Sequence, residues 1–268
     1  MLIIGEKINS SIPSTAKAIE KRDADYIRKL ACDQAEAGAG MIDVNAGTFI
    51  DEEEEMLKWL MQIVQDVTDI PLCIDSPNPA ALKAVLPLSR RKVLVNSISL
   101  ESGRYNSIFP VVKEFGTSVV ALCMDDQGIP KDADKRIAIA CRLAEKLNAH
   151  GIETSDIYFD VLVQPISVDD TFGIAALNTV RGIRERIPGA HTTGGLSNIS
   201  YGLPERKLLN SAFTMALISA GMDTLIIDPL DRKLMASIAA AKALTGQDEF
   251  CDEYLSAYRS GKLKVTTQ

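Results

Sequence analysis

Carboxylates and carboxamides recur in this chain at the ends of short apolar runs. Glu6 and Asn9 follow Leu2-Ile3-Ile4, Asp43 and Asn45 lie in the run 41–45, and Asp75 closes the run 71–75. Asn96, Asp125, Asp160 and Asp228 close or follow four more, and Ser197 and Asn198 follow another. Asp and Asn also serve as helix caps, but a cap normally sits a few residues beyond a strand rather than as its last residue. A ring of such groups without histidine suits a ligand rich in N–H donors with some carbonyl acceptors. A carboxylate accepts two parallel N–H bonds, and an Asn amide both donates and accepts. The stretch His191-Thr192-Thr193-Gly194-Gly195-Leu196-Ser197-Asn198-Ile199-Ser200 adds two adjacent glycines, which let a ligand approach the backbone beside neutral hydrogen-bonding side chains.

The elements that position these groups follow from periodicity. Strands are expected at 2–4, 41–45, 71–75, 93–96, 118–124, 157–160, the start of 191–200, and 224–228. Helical spacing follows most of them. Tyr26, Ile27, Leu30, Ala31 and Ala35 form one apolar stripe behind the N-cap candidate Asp23, and Met56, Leu60, Ile63, Val64 and Val67 form another. Asn78-Pro79 reads as a cap followed by proline at the first helical position. Further helices are expected through 108–115, 132–149, 172–187, 205–220 and 234–244, with an amphipathic segment at 250–258. The five acids Asp51 to Glu55 are expected to complement a helix N-terminus and face solvent. Strands this short and this apolar belong to a parallel sheet buried on both faces. Eight strand–helix units without a dividing linker imply one domain, 1–268, folded as a (β/α)8 TIM barrel, with a doubly wound sheet as the runner-up. In a barrel the C-terminal strand ends open on one face, so the acids and amides converge there.

Composition narrows the function classes. The 268 residues are 46% hydrophobic and 24% charged, with a net charge of −7 and no basic stripe, which argues against nucleic acid as a partner. No apolar run approaches about 18 residues, so no membrane span is expected. The first residues enter a strand pattern without a basic, then apolar, leader, so a cytoplasmic location is expected. Five scattered cysteines without a C-x-x-C pair, and only two histidines, His150 and His191, make a bound metal unexpected. An aminopyrimidinone edge, as in a pterin, fits the ring of acids and amides. A sugar or a divalent cation held by oxygen fits it too, and spacing does not choose among them.

An ordered set of motifs does. Leu2-Ile3-Ile4-Gly5-Glu6-Lys7-Ile8-Asn9, Asp43-Val44-Asn45, Cys73-Ile74-Asp75-Ser76, Val95-Asn96-Ser97, Gly128-Ile129-Pro130-Lys131-Asp132, Tyr158-Phe159-Asp160 and Gly195-Leu196-Ser197-Asn198-Ile199-Ser200 run in sequence. Together they resemble the pterin-binding methyltransferases that move a methyl group between tetrahydrofolate and a corrinoid protein. The resemblance spans essentially the whole chain. It implies that Asp75, Asn96 and Asp160 bind the pterin ring and that Asn198 bonds near N5, with Asp160 in the same network. It further implies that Gly195 and Ser197 wall the site, that Arg206 lies near the rest of the folate, and that Glu6 and Asp43 support from behind. Tyr201 departs from the acetogen branch, which has Gln there.

Corrinoid-binding modules carry Asp-x-His-x-x-Gly. The nearest string here, Gly189 to Gly194, lacks the Asp, and His191 reads as a strand-start residue. The resemblance therefore implies cobalamin delivered by a separate corrinoid-binding protein docking over the barrel mouth, tetrahydrofolate or 5-methyltetrahydrofolate as substrate, and a homodimer. Two alternatives are a dihydropteroate synthase-like enzyme and a non-catalytic folate-binding barrel. The first is disfavoured by Gly195-Leu196-Ser197-Asn198 where a phosphate-binding Ser-Arg-Lys is normal, and by Asp228 where a base is normal. The intact Asp75, Asn96, Asp160 and Asn198 set argues against the second.

Overall fold

The eight apolar runs are the strands β1 (Leu2–Asn9), β2 (Met41–Asn45), β3 (Leu72–Asp75), β4 (Leu94–Leu100), β5 (Ser118–Asp125), β6 (Ile157–Asp160), β7 (His191–Thr193) and β8 (Thr224–Ile227). The computed structural model describes residues 1–264. All neighbouring strands pair in parallel in the order β7-β6-β5-β4-β3-β2-β1-β8. The ring is completed by a single bridge, Gly195 to Ile226, beyond the end of β7. This is the (β/α)8 barrel, and the doubly wound alternative is excluded because strands β1 to β7 neighbour one another in chain order, with no switch point, and β8 returns to pair with β1. No helix among the described residues is long and apolar enough to cross a membrane.

Helices cover the outside: α1 (Pro13–Glu20), α2 (Ala24–Glu36), α3 (Glu53–Val67), α4 (Pro79–Val85), α5 (Ser102–Phe115), α6 (Ala133–Asn148), α7 (Phe172–Arg186), α8 (Arg206–Ala220), α9 (Arg232–Leu244) and α10 (Asp252–Arg259). Local chemistry starts them where the sequence indicates. The Asp23 carboxylate accepts from the Tyr26 amide, and Asn78 caps α4 through the Ala80 and Ala81 amides with Pro79 in the first turn. The outward side chains of the strands join the helices' apolar stripes in one large core.

Inside the barrel the packing has two levels. Ile4, Met41, Cys73, Leu94 and Val120, with Leu2, Leu122, Tyr158 and Ile226 against them, form an apolar plug. Two residues further along six of the strands the inward position is polar: Glu6, Asp43, Asp75, Asn96, Asp160 and Asp228. The two-residue period of a strand alone carries one face from plug to polar mouth.

Several features differ from the sequence reading. β1 continues to Asn9 instead of ending at Ile4, β4 runs to Leu100 instead of Asn96, and α1 lies in a stretch where no element is expected. Glu53, one of the five acids expected in solvent, is buried and accepts from the Ser76 hydroxyl at 2.6 Å, because the first turn of α3 packs against the end of β3.

β1 reaches Asn9 through a bulge. Gly5 pairs with Ile42 and Ile8 with Val44, so Glu6 and Lys7 together stand opposite Asp43. The Lys7 amide, displaced from the ladder, donates to Gln34 Oε1 at 3.0 Å. A Cβ on Gly5 would lie 2.5 Å from that same oxygen. Gly5→Ala therefore displaces Gln34 and orphans the Lys7 amide. We expect a loss of about 1–3 kcal/mol in urea unfolding, with Gly103→Ala, at a position where nothing lies within 4 Å of an added Cβ, as the unperturbed control.

Candidate active site

Four carboxylates share the barrel mouth, and burial pushes each toward its neutral form. Asp43 lies deepest. It is wholly buried, and its Oδ1 has no hydrogen-bond partner among the described residues. Its pKa is raised well above the ordinary value by burial and by the neighbouring Asp75 and Glu6, against the opposing influence of Cys73 and Asn96. Burial, reinforced by Asp228 and opposed by Lys7, raises Glu6 to about 7. Burial raises Asp160 to about 6, although the Leu162 amide and Arg136 favour its charged form. Asp75 is raised by burial too, while Asn45 and Arg104 pull it back and Glu53 adds to the rise.

The amides are fixed by what surrounds them. β3 and β4 register Asp75 beside Asn96, and β2 registers Asn45 beside Asp75. Asn45 Nδ2 donates to Asp75 Oδ2 at 2.9 Å, while its Oδ1 accepts from the Ser10 hydroxyl at 2.8 Å and the Gly47 amide at 3.0 Å. Asp75 Oδ1 keeps no protein partner among the described residues, so one carboxylate oxygen remains for a ligand. Arg104 lies near Asp75 and is tied to the Ser97 hydroxyl at 2.9 Å.

Across the mouth, β7 ends after three residues, and Gly194 and Gly195 lead into a short 3₁₀ helix, Leu196–Ser200. A Cβ on Gly194 would stand 3.4 Å from Asp160 Oδ1 and 3.3 Å from Val163 Cγ2, so a residue without one lets the backbone close on Asp160. A Cβ on Gly195 would be 3.4 Å from Asn198 Nδ2. Asn198 is exposed, and its side chain makes no hydrogen bond among the described residues. Asn198 and Asp160 are accordingly not joined to each other. Asp160 Oδ1 instead accepts from the Leu162 amide at 2.7 Å.

The positions of other residues sharpen the sequence reading. Arg206 is exposed and braces the 3₁₀ helix, with Nη2 on the Ser197 carbonyl at 2.7 Å and Nε on the Ser200 hydroxyl at 3.1 Å. Asp125 leaves the ring: it bridges to Gly128 and faces Arg142 of α6 at 3.6 Å, while Leu122 takes the inward position on β5. His191 stands at the opposite end of the barrel, as a strand-start residue, bonded to Asp223 at 2.9 Å and stacked on Tyr158 at 4.4 Å.

Reasoning from sequence missed Lys7, whose Nζ lies 3.1 Å from Asp228, along with Glu53, Arg104 and Arg136. For Arg136 a signal existed. It falls in register with Ala140, Leu143 and Leu147 on the apolar stripe of α6, where a charge is out of place.

A closed parallel barrel with acids and amides at its C-terminal mouth defines a binding-enzyme architecture. The family description "pterin binding enzyme" matches residues 5–228, and the chain belongs to that family. It is 42% identical over 265 residues to the methylcorrinoid:tetrahydrofolate methyltransferase of Eubacterium limosum, covering 98% of each chain. It is 30% identical over 240 residues to the methionine synthase of Mycobacterium tuberculosis, where the match spans 85% of this chain and 20% of that much longer protein. Among solved structures, dihydropteroate synthases from Xanthomonas albilineans (TM-score 0.69, 91% of this chain and 93% of that one) and Yersinia pestis (TM-score 0.65, 91% and 93%) share the fold, each at 15% identity.

The raised carboxyls make a pH prediction. Glu6 and Asp160 hold protons more tightly folded than at their ordinary values of 4.5 and 3.8. Their stabilising contribution is therefore full below about pH 4 and is lost as pH rises through 6 to 7. For Glu6 the loss is on the order of 3 kcal/mol. Urea midpoints of wild type and Glu6→Gln from pH 5 to 8 check this: the fall should be steeper in wild type, and parallel curves would show that Glu6 titrates normally.

Proposed function

We propose that this protein transfers a methyl group between tetrahydrofolate N5 and the cobalt of a corrinoid carried on a separate protein. The observation that carries this reading is the near-full-length likeness to a methylcorrinoid:tetrahydrofolate methyltransferase. The mouth geometry supports it. Asp75 and Asp160 offer carboxylate oxygens to the N–H edge of a pterin, and Asn96 beside Asp75 can donate to a carbonyl and accept from an N–H. Gly194 and Gly195 make room for the flat ring. The likeness to dihydropteroate synthases, at 15% identity, carries the fold alone.

The corrinoid supplies the methyl-accepting or methyl-donating cobalt. In transfer to folate, the N5 lone pair forms the N–CH3 bond, the Co–C electron pair stays on cobalt, and the N5 proton leaves to water. In the reverse direction N5 must gain positive character before the methyl can be attacked, since a tertiary amine is a poor leaving group. Asn198, exposed at the rim with an uncommitted amide, bonds near N5 and steadies the charged form in either direction. Asp160 anchors the ring below it, Ser197 and Gly195 wall the site, and Arg206 braces that wall from outside. Glu6 and Asp43 act from behind, setting the charge of the mouth. The same reading treats 1–268 as one domain that works as a cytoplasmic homodimer and receives its corrinoid partner at the open mouth.

Loss of cob(I)alamin absorbance with methyltetrahydrofolate, or of methylcobalamin absorbance with tetrahydrofolate, tests the activity; no change in either arm overturns it. Asn198→Ala should lower turnover on the order of 100-fold while tetrahydrofolate affinity and melting temperature stay close to wild type. Asp75→Asn should act on binding instead, raising the tetrahydrofolate Kd at least tenfold in calorimetry, on the order of the 1.4 kcal/mol of one charge-assisted bond.

A further inference from the structure

Among the described residues Arg136 is the largest fully buried side chain, and its hydrogen bonds there go only to uncharged acceptors. From α6, Nε donates to the Pro130 carbonyl at 2.8 Å, in the loop after β5. Nη1 donates to the carbonyls of Val161 at 2.7 Å and Leu162 at 3.0 Å, and Nη2 to Gln164 Oε1 at 2.7 Å, all in the loop after β6. A buried cation without a paired carboxylate is costly, and an apolar side chain would serve packing alone better.

What it grips explains the cost. Leu162 holds a left-handed backbone, φ +56°, which a residue with a Cβ adopts only when its surroundings impose it. Two contacts impose it from opposite sides. The Leu162 amide points to Asp160 Oδ1 at 2.7 Å, and the Leu162 carbonyl points to Arg136. The guanidinium thus fixes the peptide that in turn fixes the rotamer of Asp160.

We propose that Arg136 is a positioning residue for folate recognition: through the clamped Val161–Leu162 backbone it holds the Asp160 carboxylate in its ligand-accepting orientation. The inference rests on the folate-binding reading above. Lysine cannot reproduce the clamp, because a single ammonium lacks the planar fork that reaches four acceptors at once. The distinguishing signature of positioning is dependence on Asp160. A residue that merely stabilises the fold affects binding equally whether Asp160 is present or not.

The experiment has two arms. In ligand-free protein, hydrogen exchange is followed at 161–164 and, as a remote reference, at 72–75 in wild type and Arg136→Lys. Exchange should rise locally at 161–164 and stay unchanged at 72–75; equal protection in both proteins overturns the clamp. In the second arm, tetrahydrofolate Kd values are measured for Arg136→Lys, Asp160→Asn and the double variant, well below their melting temperatures. Arg136→Lys alone should weaken binding on the order of tenfold and should weaken it little further once Asp160 is replaced, whereas additive losses overturn action through Asp160. Should Arg136→Lys not fold, Gln164→Ala, which removes one acceptor and leaves the arginine in place, is carried through both arms with the same readings. If wild-type protein binds no tetrahydrofolate, the folate reading and this role both fall, and the exchange arm still decides whether the loop clamp exists.

Discussion

The structure depends on an electrostatic constraint: several carboxyl groups are gathered within one low-dielectric mouth above an apolar floor. Ile4, Met41, Cys73, Leu94, Tyr158 and Ile226 exclude water from below, and one pleat further Glu6, Asp43, Asp75, Asn96, Asp160 and Asp228 take the inward positions. Charges so placed repel one another and lose hydration. Nearly every irregularity near the mouth answers that problem. The β1 bulge turns Lys7 to Asp228, Asn45 donates to Asp75, Arg104 lies close behind it, and the left-handed turn at Leu162 presents an amide to Asp160. None of these neutralises the mouth, which keeps unsatisfied acceptor capacity, most plainly on Asp43. That surplus is what the proposed pterin edge, rich in N–H donors, would complement.

Much of this was legible in the sequence because it rests on local rules. Strand periodicity located eight parallel strands, the caps at Asp23 and Asn78 started helices as their chemistry dictates, and strand ends marked the mouth. What escaped was set by tertiary contacts. Glu53 looks like one of five solvent-facing acids until α3 docks its first turn on Ser76. Asp125 looks like any other strand end, yet its own tight turn carries it out of the ring toward Arg142. The bulge that extends β1 depends on Gln34, which lies 27 residues from the Lys7 amide it accepts. Arg136 did leave a trace, as a cation on an apolar stripe, but what it holds became apparent only once two loops met around it.

The relatives illustrate how separable frame and chemistry are. Dihydropteroate synthases keep the same barrel at 15% identity, whereas the methylcorrinoid:tetrahydrofolate methyltransferase shares 42% of its residues over a similar, nearly full length. A barrel specifies where a mouth lies, and the residues at its rim specify what happens there. In this chain the rim elements least dictated by the barrel are the two glycines after β7 and the 3₁₀ helix that carries Asn198.

Those elements sit on the seam of the ring. β8 pairs with β1 through four residues, but toward β7 its one backbone bridge is Gly195–Ile226, while at the opposite end the Asp223 carboxylate accepts from the Thr192 amide and bonds His191. The barrel is, in mechanical terms, a band with one stitch at its mouth end, and Asn198 is mounted three residues from it. A flat ligand gripped by Asp75 and Asp160 and touching Asn198 would act as a second stitch, tying the two edges from inside. Occupancy would then be felt as hoop stiffness around the whole circumference, so that the state of the site is written into the cohesion of the barrel itself.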